Sequence, residues 1–288
     1  MEIAKNWEDY KIIATGDGEK LERWGNVYLL RPDPQIIWKA AKDLSKYPKL
    51  NARYHRSQNG GGGWQNLKKY PDEWIVGYKN LRFLIKPMGF KHTGLFPEQA
   101  YNWDVMIDLI KKAKRPISVL NLFAYTGGAT VACASAGASV CHVDAAKNMV
   151  ERCKENIKIS GLENAEVRYI VDDCRKFIER EIKRGHKYDA IIMDPPSYGR
   201  GANGEVWKLE DNLYDFVCLA SKVLSDNPLF VLINSYTTGL GATVLQNILN
   251  VALGNNKGNC KAYELCLPTE EDKVLLPCGT SAIMTFEK

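Results

Sequence analysis

The chain has 288 residues, 45% hydrophobic and 25% charged, a globular composition with room for two domains or one large domain with an appendage. No run approaches the roughly 18 apolar residues of a membrane span, and Met1 to Asp9 shows neither the apolar run nor the cleavage pattern of a secretory leader. Net charge is +5, unevenly placed: residues 1–100 hold 17 Lys/Arg against 11 Asp/Glu, the other 188 hold 22 against 23, so a polyanionic partner would be drawn to the first third.

In chain order, Tyr10–Ala14 and Gly25–Leu30 bracket the turn-rich Gly16-Asp17-Gly18 as in a hairpin. Asp33-Pro34 then predicts a short helix over Gln35–Leu44. Tyr47–Pro71 is irregular, with an unbroken Gly60–Gly63 run. Trp74–Tyr78 and Leu81–Ile85 around Lys79-Asn80 form a second hairpin signal. Residues 1–92 are therefore expected to be a small, basic, β-rich, substrate-binding domain.

From about Asn102 strands and helices alternate. Strands are expected at Ile117–Phe123, Ser139–Val143, Glu166–Val171, Tyr188–Met193 and Leu229–Asn234. Helices are expected at Ala129–Ala136, Ala146–Ser160, Cys174–Lys183, Leu209–Leu224 and Leu240–Leu253. Lys261–Leu267 and Ser281–Phe286 close the chain as strands. This rhythm predicts an α/β fold, a doubly wound and mostly parallel sheet over residues 93–288. Ligands of such sheets bind at the carboxyl ends of the strands.

Those ends carry the chemistry. Phe123-Ala124-Tyr125-Thr126-Gly127-Gly128 follows the first strand, and a glycine pair allows a tight turn and close backbone approach to a ligand. Asp144 ends the second strand, sixteen residues beyond Gly128, where a carboxylate accepts from ribose hydroxyls or caps the next helix. Asp172-Asp173-Cys174 ends the third. One of the two aspartates is expected to serve only as a cap, and Asp173 is favoured for an adenine amino group, with Cys174 beside the ring. Asp194-Pro195-Pro196-Ser197-Tyr198 ends the fourth. Two prolines fix φ and remove two N–H donors, leaving carbonyl oxygens and the Asp194 carboxylate as acceptors for a substrate amino group, with Tyr198 as a stacking face. Together these positions describe a nucleoside-binding sheet. The GxGxxG of a nicotinamide dehydrogenase is missing. Eight cysteines are scattered without a CxxC or zinc spacing, as in a cytoplasmic protein with reduced thiols and no metal.

With these motifs, and with Lys91-His92-Thr93-Gly94-Leu95-Phe96-Pro97-Glu98-Gln99 upstream, the chain over about residues 90–240 resembles the class I, Rossmann-like S-adenosylmethionine-dependent methyltransferases. Within them it is similar to the bacterial large-subunit ribosomal RNA base methyltransferases. The resemblance implies S-adenosylmethionine as cofactor, held by Asn121, Phe123, Ala124, Tyr125, Thr126, Gly127, Gly128, Asp144, Ala145, Asp173, Cys174 and Asp194, and covered by Thr93, Gly94, Phe96 and Gln99. It implies Asp194, Pro195, Pro196 and Tyr198 as the catalytic loop. Ala100 stands where the family has arginine after the glutamine. Tyr236 and Ser197 stand where cytosine-C5 enzymes carry cysteine, and that reaction needs a thiolate. The expected reaction is therefore methylation of a base nitrogen in RNA, the alternative being a small-molecule or protein acceptor.

Between Asp43 and Asp72 no acidic residue occurs, while Lys46, Lys49, Arg53, Arg56, Lys68 and Lys69 interleave with Tyr47, Tyr54, Trp64 and Tyr70. Cations and rings together suit a single strand, with Lys46, Arg53, Arg56, Trp64, Lys68 and Lys69 as the expected substrate-binding set.

Overall fold

The computed structural model describes residues 1–57, 61–89, 91–200, 206–237, 239–254 and 258–286. Gly60, part of the glycine run named above, lies outside them, as do Phe90 and Thr238. The chain forms two compact units, one of residues 2–101 with 266–278, the other of residue 1 with 102–265 and 279–288. The boundary expected between 92 and 93 falls inside the first unit.

The first unit holds β1 (Glu2–Ile3), β2 (Tyr10–Gly16), β3 (Glu19–Trp24), β4 (Val27–Pro32), β5 (Ala52–Arg56), β6 (Gly62–Asn66), β7 (Trp74–Tyr78) and β8 (Leu81–Ile85). Strands β2 to β6 make one sheet in sequence order, and β7 and β8 pair as the expected hairpin. β3 was not expected, because Glu19-Lys20-Leu21-Glu22-Arg23-Trp24 carries four charges. It forms because Glu22, fully buried, accepts two hydrogen bonds from the Arg31 guanidinium (2.6 and 2.8 Å) and one from the Tyr10 hydroxyl (2.7 Å). β5 and β6 occupy a stretch read as irregular.

The helix expected over Gln35–Leu44 is absent. Its polar groups are engaged elsewhere: the Trp38 carbonyl accepts from the Asp17 N–H, the Ala40 N–H donates to Asp17 Oδ2, and the Trp38 indole donates to Thr15 Oγ1. Only a single 3-10 turn, Leu44–Lys46, forms, capped by the Asp43 carboxylate. Residues 266–278 join this unit because Glu270 and Glu271 donate backbone N–H groups to the Ile12 and Ile13 carbonyls, and Thr15 Oγ1 donates to Asp272 (2.9 Å).

Next come α1 (Ala100–Ala113), β9 (Ser118–Leu122), α2 (Gly128–Ser135), β10 (Ser139–Asp144), α3 (Lys147–Ile159), β11 (Val167–Val171), α4 (Cys174–Arg184) and β12 (Ala190–Met193). Then follow β13 (Tyr198–Arg200), β14 (Val206–Lys208), α5 (Leu209–Ser221), β15 (Phe230–Ser235), α6 (Ala242–Ala252), β16 (Asn259–Pro268) and β17 (Leu275–Thr285). Seven of these strands form the second unit's sheet, in the order β16-β17-β15-β12-β9-β10-β11. β15, β12, β9, β10 and β11 are mutually parallel, and β17 runs antiparallel to β15. The five parallel strands sit where the alternation placed them, with ends moved by one or two residues. β9, β12 and β15 are buried along nearly their whole length, which is what continuous apolar runs covered on both faces produce.

Register decides where function concentrates. Leu122 is level with both Val143 and Met193, Met193 with Ile233, and Asp144 with Val171. The residues that follow β9, β10, β11, β12 and β15 therefore emerge along one edge. Among the described residues no helix is long and apolar enough to cross a membrane, and no group of three His, Cys, Asp or Glu is placed to hold a metal ion.

Candidate active site

After β9 the backbone turns sharply. Phe123, Tyr125 and Gly127 have φ of 54°, 51° and 84°, a left-handed geometry uncommon for residues other than glycine and frequent at functional sites. A Cβ on Gly127 would lie 2.2 Å from Cys153 Sγ, and one on Gly128 2.8 Å from the Trp103 ring. The glycine pair was expected to admit a ligand. The space its missing side chains leave is filled by α3 and α1.

A buried polar layer supports this turn. The Asn121 amide donates to Thr130 Oγ1 (2.9 Å), Thr130 Oγ1 pairs with His142 Nδ1 (2.9 Å), and the Asn156 amide donates to the Thr126 carbonyl (2.9 Å). Burial lowers the His142 imidazole to about 3, so it stays neutral at physiological pH. Asn121, read as a cofactor contact, is buried and engaged within the protein.

Asp144 ties the turn to the next helix. Its Oδ2 accepts from the Tyr125 N–H and its Oδ1 from the Ala146 N–H, both at 2.8 Å. Burial pushes its carboxyl up against these bonds. Each oxygen accepts once in this arrangement, and a carboxylate oxygen has capacity for about two bonds. The capping and ribose roles are thus compatible at one residue. Ala145 beside it is exposed.

At β11 the helix cap is Asp173, the aspartate favoured for adenine. Its Oδ1 accepts from the Lys176 N–H (3.0 Å), while Oδ2 has no partner among the described residues. Asp172 is held by Arg180 and by the N–H of Asp173. The Cys174 thiol is buried, accepts from the Phe123 N–H (3.3 Å), and is pushed well up by burial. It braces two strand ends and is no nucleophile.

After β12 the loop departs from expectation. It was read as an array of free carbonyls, but the Pro196 carbonyl accepts from the Trp207 indole (2.6 Å) and the Ser197 carbonyl from the Leu209 N–H (3.0 Å). Thr237 Oγ1 donates to Ser197 Oγ (2.6 Å). The loop is fixed at three points, and the Asp194 carboxylate stands half-buried at the end of β12. Pro195 is buried, Pro196 exposed, and Tyr198 51% exposed on β13.

β13 and β14, a short antiparallel pair, were not expected, nor was Trp207. Its ring packs on Phe123 (5.7 Å between centroids) and Phe216 (5.6 Å). The available signal was a lone tryptophan in a Gly-rich stretch just before a helix start. A further network, Asn102, Asn234, Ser281 and Tyr263, locks the end of β15: Asn234 Oδ1 accepts from the Asn102 amide and the Ser281 hydroxyl, and Tyr263 donates to Asn102. Tyr236 is half-buried, and no cysteine lies in 194–199 or 234–239.

The covering candidates lie in the first unit. Thr93 Oγ1 is buried with no hydrogen-bond partner among the described residues. Gly94 has φ +93°. Phe96 precedes a 3-10 turn, Pro97–Gln99, in which Gln99 is buried. Of the substrate-binding candidates, Arg53 is engaged by Glu19 through two bonds (2.9 and 2.8 Å), Lys46 pairs with Asp43, and Lys68 donates to the Pro48 carbonyl. The Trp64 indole donates to the Met88 carbonyl (2.7 Å). Arg56 and Lys69 are exposed.

The donor set suits S-adenosylmethionine. Two ribose hydroxyls and an adenine amino group are donors, and Asp144 and Asp173 both keep acceptor capacity at adjacent strand ends. A cationic sulfonium suits an edge bearing the Asp194 carboxylate. The comparisons agree. Residues 36–219 match the S-adenosylmethionine-dependent methyltransferase family. The crystal structure of a SAM-dependent methyltransferase from Agrobacterium tumefaciens is 31% identical, with TM-score 0.92 over all of this chain and 94% of that one. SMU.776, a methyltransferase solved with SAH, is 18% identical and shares the fold, with TM-score 0.77 over 97% of this chain and 76% of that one. Among curated relatives, ribosomal RNA large subunit methyltransferase K/L of Shewanella frigidimarina is 30% identical over 62% of this chain, which spans 25% of the relative's length. Methyltransferase K of Neisseria meningitidis is 25% identical over 64% of this chain and 53% of its own length. A sheet whose strand ends carry this acceptor set, matched over most of its length, belongs to the S-adenosylmethionine-dependent methyltransferase family, and the chain is an enzyme with S-adenosylmethionine as its methyl donor.

Proposed function

We propose that the protein methylates a nitrogen of a base in RNA, with ribosomal RNA as the substrate. The observation that carries this reading is the Asp194-Pro195-Pro196 loop, rigidly held, with one carboxylate acceptor and no thiol. The names of the curated relatives and the basic first unit support RNA. The same reading puts the enzyme in the cytoplasm.

S-adenosylmethionine supplies an electrophilic methyl group on sulfur. Asp194 accepts a hydrogen bond from the substrate amino or imino group and aims the nitrogen lone pair, at about 3–3.5 Å in line with the bond to be broken. With the cofactor bound, its carbon–sulfur bond would break as the carbon–nitrogen bond formed. The nitrogen then sheds its proton to water, so no strong base is needed. Tyr198 offers a ring face to the base. A base from a duplex must leave its stack to be reached.

The test offers methyl-labelled cofactor with total RNA from cells lacking the protein, and separately with protein extract and with metabolites. Label in RNA, absent with Asp194→Ala, is expected. Label confined to another fraction overturns the reading in favour of a protein or small-molecule acceptor.

Two variants probe the supports. Asp144→Ala leaves two backbone N–H groups without their acceptor and removes a charged hydrogen-bond partner, worth about 1.5–3 kcal/mol. Cofactor Kd measured by calorimetry is expected to rise roughly 10- to 100-fold, and an unchanged Kd would refute the ribose assignment. Trp207→Phe keeps the ring and deletes the bond to Pro196. A fall of about 3- to 10-fold in kcat is expected from a net bond of about 1 kcal/mol, with cofactor Kd unchanged. A change in Kd alone would show that the bond does not position the acceptor loop.

A further inference from the structure

We infer that a groove on the first unit is a docking site for single-stranded RNA. The inference rests on RNA being the substrate class. The groove has a volume of about 750 Å³, and Trp64, Lys68, Lys69, Tyr70, Asp72 and Lys86 are among its lining residues. Of the expected substrate-binding set it retains Trp64, Lys68 and Lys69; Tyr70, one of the interleaved rings of the sequence, lines it too, and Lys86 is new.

Its charge is available. The Lys69 side chain is exposed, and its ammonium has no partner among the described residues. Lys86 lies 3.9 Å from Glu73 with both side chains about half exposed, a pairing of little strength in water. Lys68 donates to the Pro48 carbonyl, which fixes its stem and leaves other ammonium protons free to bond. Asp72 is the single acid among the described lining residues. Arg53, by contrast, is neutralised by Glu19 and lines nothing here.

The rings are held in advance. Trp64 bonds to the Met88 carbonyl and stands edge-on to Tyr54 (5.4 Å). Tyr70 donates to Asn66 Oδ1 (2.8 Å) and stands edge-on to Trp74 (6.0 Å). Both are half-buried. Ordered rings lose little entropy on binding, and any base can stack on them. β6, beside the groove, is the last strand of its sheet, so one row of its backbone groups faces no strand, and Gly62 and Gly63 bring no side chains to it. Three cations beside two fixed rings match a phosphate chain with unpaired bases. An acidic peptide has no use for the rings, and a duplex hides its bases.

The test measures anisotropy of a labelled, unstructured twelve-nucleotide RNA on the full-length protein, without methyl donor. Three phosphate contacts predict a slope of log K against log salt of about −2. Lys69→Ala/Lys86→Ala is expected to weaken binding roughly tenfold and leave a slope of about −0.7. Lys158→Ala/Lys183→Ala, the same charge change at exposed sites in the second unit, is expected to leave both unchanged. Polyglutamate of equal charge is expected to compete poorly, and so is the duplex form. Equal binding by the two double variants overturns the groove even where label enters RNA in the transfer assay. Polyglutamate or duplex competing as well as the single strand overturns its occupant. Absence of RNA binding by the unaltered protein overturns the groove as well, while the transfer assay decides separately whether RNA is the acceptor.

Discussion

Replacing Asp194 by alanine is expected to lower methyl transfer, measured at saturating cofactor, by about a thousandfold or more. Removing a group that aligns the acceptor costs the advantage of orientation, which reaches about 7–11 kcal/mol when complete. Asp194 closes β12, where Met193 is level with Leu122 on one side and Ile233 on the other, and its own N–H bonds to the Leu122 carbonyl. The strand therefore aims the carboxylate before any ligand arrives. The Pro196 and Ser197 carbonyls already accept from Trp207 and Leu209, which leaves them less able to substitute for it. Single-turnover transfer of labelled methyl measures the loss. Asp194→Asn keeps one acceptor oxygen and should fall between the two. Full activity in the alanine variant would remove the loop from the chemistry.

The second large effect is on stability. Arg31→Met is expected to destabilise the first unit by about 3–5 kcal/mol, because it strands a buried charge. Glu22 is fully buried, with Arg31 on both its oxygens and Tyr10 on one. Burial opposes its ionisation, but Arg31, Lys20 and the hydrogen bonds from Arg31 and Tyr10 prevail and bring the carboxyl from 4.5 down to about 2. A carboxyl depressed on folding contributes its stability in full above about 4.5 and loses it as pH falls through about 2. Urea unfolding followed from pH 6 to pH 2 should therefore show a steep acid loss in the parent. Glu22→Gln/Arg31→Met should flatten that slope and recover part of the single-variant loss. A single variant as stable as the parent would make the pair dispensable. Arg31 also donates to the Lys91 carbonyl (2.7 Å), so the same variant loosens the segment that leads to Thr93.

The alternating half of the chain was legible because its signal is local. A buried parallel strand is a continuous apolar run, a covering helix repeats at its own period, and the candidate aspartates sit at the ends of those runs. Asp144, Asp173 and Asp194 could be found without a structure, as could the turn at Gly127. The first third resisted. β3 reads as a solvated charged stretch until Arg31, nine residues on, meets Glu22, and Gln35–Leu44 reads as a helix until Asp17 and Thr15 capture its polar groups. The same distinction sorts the site. The presence of glycine at 127 and 128 is a sequence fact, but Cys153 and Trp103 give the reason. Six basic or aromatic residues looked alike as ligands for RNA until Glu19 claimed Arg53 and left Lys69 open. The sheet and the aspartates at its strand ends were readable because periodicity is written in neighbouring residues, and the cofactor class followed from the family resemblance those motifs carry. Which polar groups are engaged emerges from the folded chain, because hydrogen bonds and ion pairs join residues that folding alone brings together.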